Sequence, residues 1–257
     1  MPIPRRGEAM DEARARVEDV LEVFERHRTI RSYKAEPIAQ ADVSKIQVAG
    51  RRAPSDATGF MYTVIRVRDP AKREAIAAKT GMNPHIVTAA EFFVVCLDFH
   101  RQGKLVEHLG GKPAKLGTWS VLFGVTDAIL VAENMALAAE ALGYGTGFIG
   151  GVQRDGLGIA KILGCPRGVF PLVGLTVGVI ERFPEPRKRL PLSATFHEDA
   201  YHDLSEAELA ACVNAMKSES GKFDWTASLN RYFAEGGEME SREATIREGL
   251  REQGILP

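Results

Sequence analysis

The sequence has little of what several large classes of protein require. Its 257 residues include 33 Lys and Arg against 34 Asp and Glu, so no broad basic field exists to hold nucleic acid or an anionic membrane. The three cysteines form no C-x-x-C pair and are too few for a zinc set or a disulfide framework. No uninterrupted apolar run approaches the ~18 residues of a membrane span, and we expect no signal peptide. These absences predict a cytoplasmic protein without nucleic-acid or membrane partners, in which any anion is bound locally.

What the sequence does contain is enough apolar material for a sizeable core, since 45% of the residues are hydrophobic. Val17, Val20, Leu21 and Phe24 follow helical spacing and predict a helix that ends near Arg26. The other predicted elements are a helix over 40–52, strands over 62–67, 91–98 and 170–180, a buried helix over 121–142 with Ile129, Ala132, Ala136 and Ala139 inward, a short helix over 156–163 and a capped helix from Ser205.

Helices and strands alternate irregularly, and no linker divides the chain convincingly. We therefore predict one α+β domain over residues 1–257. Within it we expect a polar leader (1–16), a core (17–204) and a helical C-terminal extension (205–257).

The segment "HRTIR" concentrates nitrogen-rich side chains directly after the first predicted helix. His27, Arg28 and Arg31 lie within five positions, with the Thr29 hydroxyl between them. The planar guanidinium fork suits a phosphate, and the imidazole and hydroxyl add further donors. The alternative is that Arg26, His27 and Arg28 complement the negative end of the preceding helix.

A second basic cluster, Arg187, Lys188 and Arg189, lies in a proline-flanked loop after the strongest predicted strand. Loops that rigid strands position commonly carry ligands. The alternative is an ordinary solvated run of charge. Two such clusters in a chain of net charge −1 favour one shared anionic ligand.

The stretch "GYGTGFIGG" (143–151) contains a G-x-G-x-x-G match at Gly145, Gly147 and Gly150. That motif binds dinucleotides only where it follows a strand and opens a helix, whereas here it follows a long helix and leads into a strand-like segment. A Rossmann site is therefore excluded. The glycines would still let the main chain approach a flat ligand, although a helix C-cap at Gly143 followed by a turn is the alternative.

Two further loops carry small polar residues. In "APSDATG" (53–59), Ser55, Asp56 and Thr58 could hydrogen-bond a sugar-alcohol chain or make local turns, and Asn83-Pro84-His85 offers an amide and an imidazole or a plain turn. No catalytic triad, metal set or P-loop is present, and no side chain is an evident nucleophile. Any enzymatic chemistry would therefore be carried by a cofactor.

Several segments, taken together and in order, resemble the FMN-dependent nitroreductases. They are "HRTIRSYKAEPI", "RRAPSDATGFMYTVIRV", "AAEFFVVCLDF", "AAEALGYGTGFIGGV", "PLVGLTVGV" and "RLPLSATFHEDAY". The similarity is greatest to the branch of oxygen-insensitive NADPH nitroreductases and NADPH–flavin oxidoreductases, and covers about residues 20–204. It implies an intertwined homodimer in which a central, mostly antiparallel sheet is flanked by helices. It also implies that two FMN molecules lie at the subunit interface and that residues 17–204 form the FMN-binding core.

The resemblance assigns the site residues. It implies that the phosphate and ribityl end of FMN is held by His27, Arg28, Thr29, Arg31, Arg187 and Arg189. It further implies that the ring region is contacted by Pro54, Ser55, Asp56, Ala57, Asn83, Ile149, Gly150 and Gly151, the last three through their main chain. No side chain is assigned a catalytic role, because FMN carries the chemistry.

Several positions depart from the pattern of the family. Asp56 and Phe60 stand in a segment that is serine-rich and ends in glutamine in relatives, and Asn83 replaces a frequent glutamine. Relatives bind the 2′-phosphate of NADPH through arginines before a D-T-W stretch, where this chain offers only Lys222. The choice between NADPH and NADH therefore stays open.

The implied activity is the reduction of nitroaromatics, quinones or flavins by ping-pong hydride transfer from NAD(P)H through FMN. The partners would be a second copy of the chain and a small-molecule electron acceptor. Two alternatives stay open at this point. One is a flavin-binding protein without turnover, and the other is a member of the family specialised for another reduction, such as dehalogenation.

Overall fold

The computed structural model describes residues 20–81, 83–218, 221 and 223–257. Its helices are α1 (20–26), α2 (Gln40–Arg51), α3 (Pro70–Lys79), α4 (His85–Thr88), α5 (His100–His108), α6 (Thr118–Ala141), α7 (Gly156–Leu163), α8 (Glu206–Ala215), α9 (Trp225–Phe233) and α10 (Glu238–Glu252). The strands are β1 (Tyr62–Arg66), β2 (Glu91–Asp98), β3 (Gly145–Ile149) and β4 (Val169–Gly178), and short 3-10 segments cover Asp56–Thr58, Gly150–Asp155 and Leu192–Ala194. The predicted elements are confirmed with shifts of a few residues, and Val17 lies outside the described residues.

The four strands form one antiparallel sheet in the order β1-β2-β4-β3. Strand β2 is buried along its whole length because helices cover both faces of the sheet. Phe93 and Leu97 point into clusters with α6, whereas Phe92 and Val94 point into a cluster with α3 and α7. The predicted α+β fold, with a mostly antiparallel central sheet flanked by helices, is confirmed.

Helix α6 packs against α2 and the sheet through one face only. Its inward stripe includes Asp127, Val131 and Met135. The expectation that Ile129 points inward was wrong, since 42% of its surface is exposed. Successive helical residues are rotated by about 100°, so Ile129 falls beside the stripe rather than within it.

By length and composition α6 could cross a membrane, with a mean hydropathy of 1.6. However, the fully buried carboxylate of Asp127 receives hydrogen bonds from the protein itself. Together with the packing on the sheet, these bonds identify α6 as a core helix.

The chain divides into two compact units. The first runs through Pro184 and includes Thr245–Pro257, so the chain terminus completes the core of this unit through Leu250 and Ile255. The second unit is Glu185–Ala244. Within it, Ser205 and Glu208 form the predicted capping box at the start of α8.

Candidate functional site

The "HRTIR" segment runs beside the edge strand β3. Thr29 forms a parallel bridge with Thr146, and the Ile30 N–H donates to the Thr146 carbonyl at 2.7 Å. A Cβ at position 147 would lie only 2.8 Å from the Ile30 carbonyl oxygen, so glycine at this position permits the close approach. The sequence places two of its motifs far apart, and the fold brings their main chains into contact.

His27 is held by a carboxylate that the sequence analysis did not identify. Its Nδ1 lies 2.9 and 3.1 Å from the two carboxylate oxygens of Glu140, at the end of α6. The Thr146 hydroxyl donates to the same carboxylate at 2.5 Å, and the Glu140 side chain is 10% exposed. When Nδ1–H donates to Glu140, the other ring nitrogen, Nε2, is left for a ligand. A carboxylate that accepts from one ring nitrogen commonly orients a histidine in this way. Glu140 is one of three acidic residues in a largely apolar helix, and no local pattern distinguished it from the other two.

The two arginines of this segment have different surroundings. Arg28 Nη1 donates to the carbonyls of Glu25 and His27 at 3.0 and 2.7 Å, which matches the expected alternative of a basic group at a helix end. Arg31 is exposed, and its positive charge affects the pKa values of Tyr33 and His85. Arg31 is thus the more accessible cation of the pair.

Tyr33 braces the turn of the chain after Arg31. Its buried hydroxyl donates to the Ile30 carbonyl at 3.0 Å and lies 2.9 Å from the Thr176 hydroxyl. Burial raises the pKa of Tyr33 to about 12, so the hydroxyl keeps its proton at physiological pH. The "HRTIR" segment is therefore anchored on β4 as well as on β3.

The predicted ring-facing residues also meet. The Asn83 amide donates to the Thr80 carbonyl at 2.8 Å, and a Cβ at position 151 would overlap that same carbonyl oxygen. Gly151 therefore packs directly on the turn that carries Asn83, just after Ile149 ends β3. Gly150, in contrast, has open space around its α-carbon, so its main chain is accessible.

His85 opens α4 two residues after Asn83 and is 5% exposed. Burial, and secondly the positive charge of Arg31, lower its pKa from 6.5 to about 4. The imidazole is therefore neutral at physiological pH. Strand β3 joins this turn to the "HRTIR" segment, because Thr29 and Ile30 pair with Thr146 on the strand and Gly151, just beyond it, packs on the turn that carries Asn83. Residues 27–31, 83–85 and 149–151 therefore form one connected region.

The loop over residues 54–60 is exposed and has an unusual backbone. Ala57, Thr58 and Phe60 have φ values of 49°, 56° and 49°, in the left-handed region that non-glycine residues seldom adopt. The Ser55 hydroxyl, predicted to contact a ligand, donates instead to Asp127 Oδ2 at 2.7 Å and accepts from the Phe60 N–H. This loop is therefore anchored on α6 by Asp127, which the sequence analysis also missed.

The second basic cluster, residues 187–189, lies in the second unit. The Arg187 guanidinium lies 3.7 Å from the centre of the Phe223 ring, and Arg189 Nη1 donates to the Arg187 carbonyl at 3.0 Å. Lys222 lies outside the described residues, so its predicted role in nucleotide binding stays a prediction.

A cavity of about 150 Å³ lies next to the "HRTIR" segment. Its lining includes Arg26, Arg28, Glu140, Tyr144 and Phe183. Among the described residues, no group of three or more His, Cys, Asp or Glu side chains could hold a metal ion. The donors of this region instead suit an anionic organic ligand with hydrogen-bonding edges.

Comparisons with known proteins agree with this assignment. A model of the nitroreductase family matches residues 119–179, which cover α6, β3, α7 and β4. Over 244 residues the chain is 31% identical to a Cr(VI) reductase of Pseudomonas sp. (strain G-1), an alignment covering 92% of this chain and 98% of that protein. It is 37% identical over 186 residues to the oxygen-insensitive NADPH nitroreductase of Salmonella typhimurium, covering 72% of this chain and 75% of that protein.

A solved structure shares the fold over most of its length. The NADPH:FMN oxidoreductase from Vibrio harveyi, complexed with NAD+, matches with a TM-score of 0.83 and 28% identity, over 92% of this chain and 98% of that one. The family match, these identities over most of the chain and the shared fold together place this chain in the nitroreductase family.

Proposed function

We propose that this chain is an FMN-dependent oxidoreductase that uses NADPH or NADH to reduce a small-molecule acceptor, such as a nitroaromatic, a quinone or a free flavin. Its membership of the nitroreductase family supports this activity, as do the names of relatives that reduce nitro compounds or flavins with NADPH. We also propose that the protein works in the cytoplasm.

One structural observation carries the proposal: residues 27–31, 83–85 and 149–151 form a single connected region along β3. Its chemistry fits FMN. Arginine and imidazole donors suit a dianionic phosphate, and the open main chain at Gly150 suits the edge of a planar ring. When bound, FMN supplies the hydride-transfer chemistry, which this chain's side chains do not.

The chain's own residues bind and orient. Arg28 and Arg31 provide charge-assisted hydrogen bonds to the phosphate, with Thr29 beside them. His27 adds a donor or acceptor at Nε2, while Glu140 fixes the orientation of its ring. The remaining contacts with FMN stay predictions. They are those of Pro54, Ser55, Asp56, Ala57, Asn83, Ile149, Gly150, Gly151, Arg187 and Arg189. Of these, Ser55 is expected to act mainly by shaping its loop, because its hydroxyl already bonds to Asp127.

We further infer that the partner is a second copy of the chain. The outward face of α6 exposes Trp119, Leu122, Ile129 and Leu130, and α1 exposes Phe24. Such a row of large apolar side chains along one face of α6 favours coverage by another protein surface. A homodimer would bury them, at a gain of roughly 25 cal/mol per Å² of apolar surface. Light scattering at micromolar concentration would contradict this inference if it returned the mass of one chain.

The activity is tested by the visible spectrum of the purified protein and by anaerobic titration with each nicotinamide nucleotide. We expect flavin absorption that NADPH or NADH bleaches and that an added nitroaromatic restores. A colourless protein that also fails to bind added FMN would refute the proposal. A yellow protein that neither nucleotide bleaches would instead support a binding protein without turnover.

The phosphate role of Arg28 is tested by substitution. We expect Arg28→Ala to weaken FMN binding roughly 10-fold or more, since a hydrogen bond to a charged group contributes about 1.5–3 kcal/mol. Arg68→Ala, at an exposed arginine after β1, is the matched control. Equal FMN affinity in the two variants would remove Arg28 from the site.

A further inference from the structure

The loop over residues 55–61 is held in a backbone conformation that its sequence does not favour. Three of its residues, Ala57, Thr58 and Phe60, have positive φ, and Thr58 is β-branched. Strained residues of this kind persist only where surrounding contacts over-determine them, and they cluster at ligand sites. The contacts around this loop therefore indicate what keeps its shape.

On one side, the loop is fixed by a single carboxylate. Asp127 is fully buried in α6. Its Oδ2 accepts from the Ser55 hydroxyl at 2.7 Å and from the Met61 N–H at 2.9 Å, and its Oδ1 accepts from the Asp56 N–H at 2.9 Å. These bonds hold both ends of the loop and leave the strained residues between them.

On the other side, α5 binds the carbonyl groups of the same loop. Arg101 Nη2 donates to the carbonyls of Phe60 and Tyr62 at 2.5 and 2.6 Å. Gln102 Nε2 donates to the carbonyls of Gly59 and Phe60 at 2.5 and 3.0 Å. The main chain is thus bonded on both sides, through its N–H groups to α6 and through its carbonyls to α5.

We propose that Asp127 is a positioning residue of the FMN site, whose buried carboxylate holds the 55–61 loop in its ligand-binding shape. The proposal rests on the proposed function. Burying a carboxylate in an apolar environment is unfavourable unless hydrogen bonds satisfy it, and here three hydrogen bonds to the carboxylate come from this loop. Before Met61, which is buried in the core, the loop is exposed or partly exposed and adds little to the packing of the interior. The arrangement therefore serves the shape of a surface segment rather than the packing of the interior.

The test compares two variants that break the anchor to different degrees. Asp127→Asn keeps the side-chain volume but replaces one acceptor oxygen with an N–H₂ group, which cannot accept from the hydroxyl and N–H donors of the loop. Ser55→Ala removes one hydroxyl and leaves both N–H bonds to Asp127 in place. FMN dissociation constants, the reduction potential of bound FMN and the thermal unfolding midpoint are measured for each. We expect FMN affinity to fall at least 10-fold in Asp127→Asn and about 3-fold in Ser55→Ala, with a shifted reduction potential in both.

The control is Ile159→Val, which destabilises a buried position in α7 without touching the loop. It should lower the unfolding midpoint while leaving FMN affinity and reduction potential unchanged. The positioning role is overturned if the folded Asp127→Asn and Ser55→Ala variants keep the wild-type FMN affinity and the wild-type reduction potential. Should Asp127→Asn fail to fold, Ser55→Ala decides by the same two measurements. The proposed function fails separately, since in that case the wild-type protein itself binds no FMN.

Discussion

His85 should make the stability of this protein fall steeply with mild acid. Its pKa is about 4 in the folded chain against 6.5 for an ordinary histidine. Between these values the unfolded chain binds a proton that the folded chain does not. The contribution of His85 to the free energy of unfolding is therefore complete above pH 6.5 and is lost as pH falls toward 4. At ~1.4 kcal/mol per pKa unit, the free energy of unfolding has fallen by roughly 2 to 3 kcal/mol at pH 4.5.

The assay is urea unfolding at pH 7.5 and pH 4.5 for the wild type, His85→Phe and His108→Gln. Phenylalanine keeps an aromatic ring in the buried position but does not titrate, whereas His108 is an exposed histidine. Between the two pH values, the free energy of unfolding should fall by about 2 kcal/mol more in the wild type and His108→Gln than in His85→Phe. If all three lose the same amount, the imidazole of His85 is not excluded from protonation and the reasoning is refuted.

Two further variants test the environment of the site. Glu140→Gln should lower the free energy of unfolding by about 1–2 kcal/mol and weaken FMN binding several-fold, because an amide carries no charge and replaces one of the two acceptor oxygens beside His27 with an N–H₂ donor. Denaturant unfolding and FMN titration check this, and wild-type values in both would contradict it. Thr58→Gly should raise the free energy of unfolding by roughly 0.5–1 kcal/mol, since glycine adopts a φ of 56° without steric strain; a lower unfolding midpoint would show that Thr58 is not strained.

Much of the architecture could be read from local patterns. The uninterrupted apolar run of β2 predicted a strand buried on both faces. In the structure, helices on both sides of the sheet cover this strand. The position of the glycine motif after a long helix excluded a dinucleotide site, and Gly145–Ile149 is indeed a strand. These inferences succeeded because side-chain periodicity and glycine placement follow directly from backbone geometry.

The partners of the site side chains could not be predicted in this way. His27 bonds to Glu140 across 113 positions, and Ser55 bonds to Asp127 across 72. Both acidic residues lie on α6, whose inward face is set by how the helix packs on the sheet and α2. The sequence by itself determined the elements, the basic clusters and the kind of ligand they suit. Only the tertiary structure decided which carboxylates hold His27 and Ser55, because a pairing between distant residues depends on helix rotation and strand register rather than on local spacing.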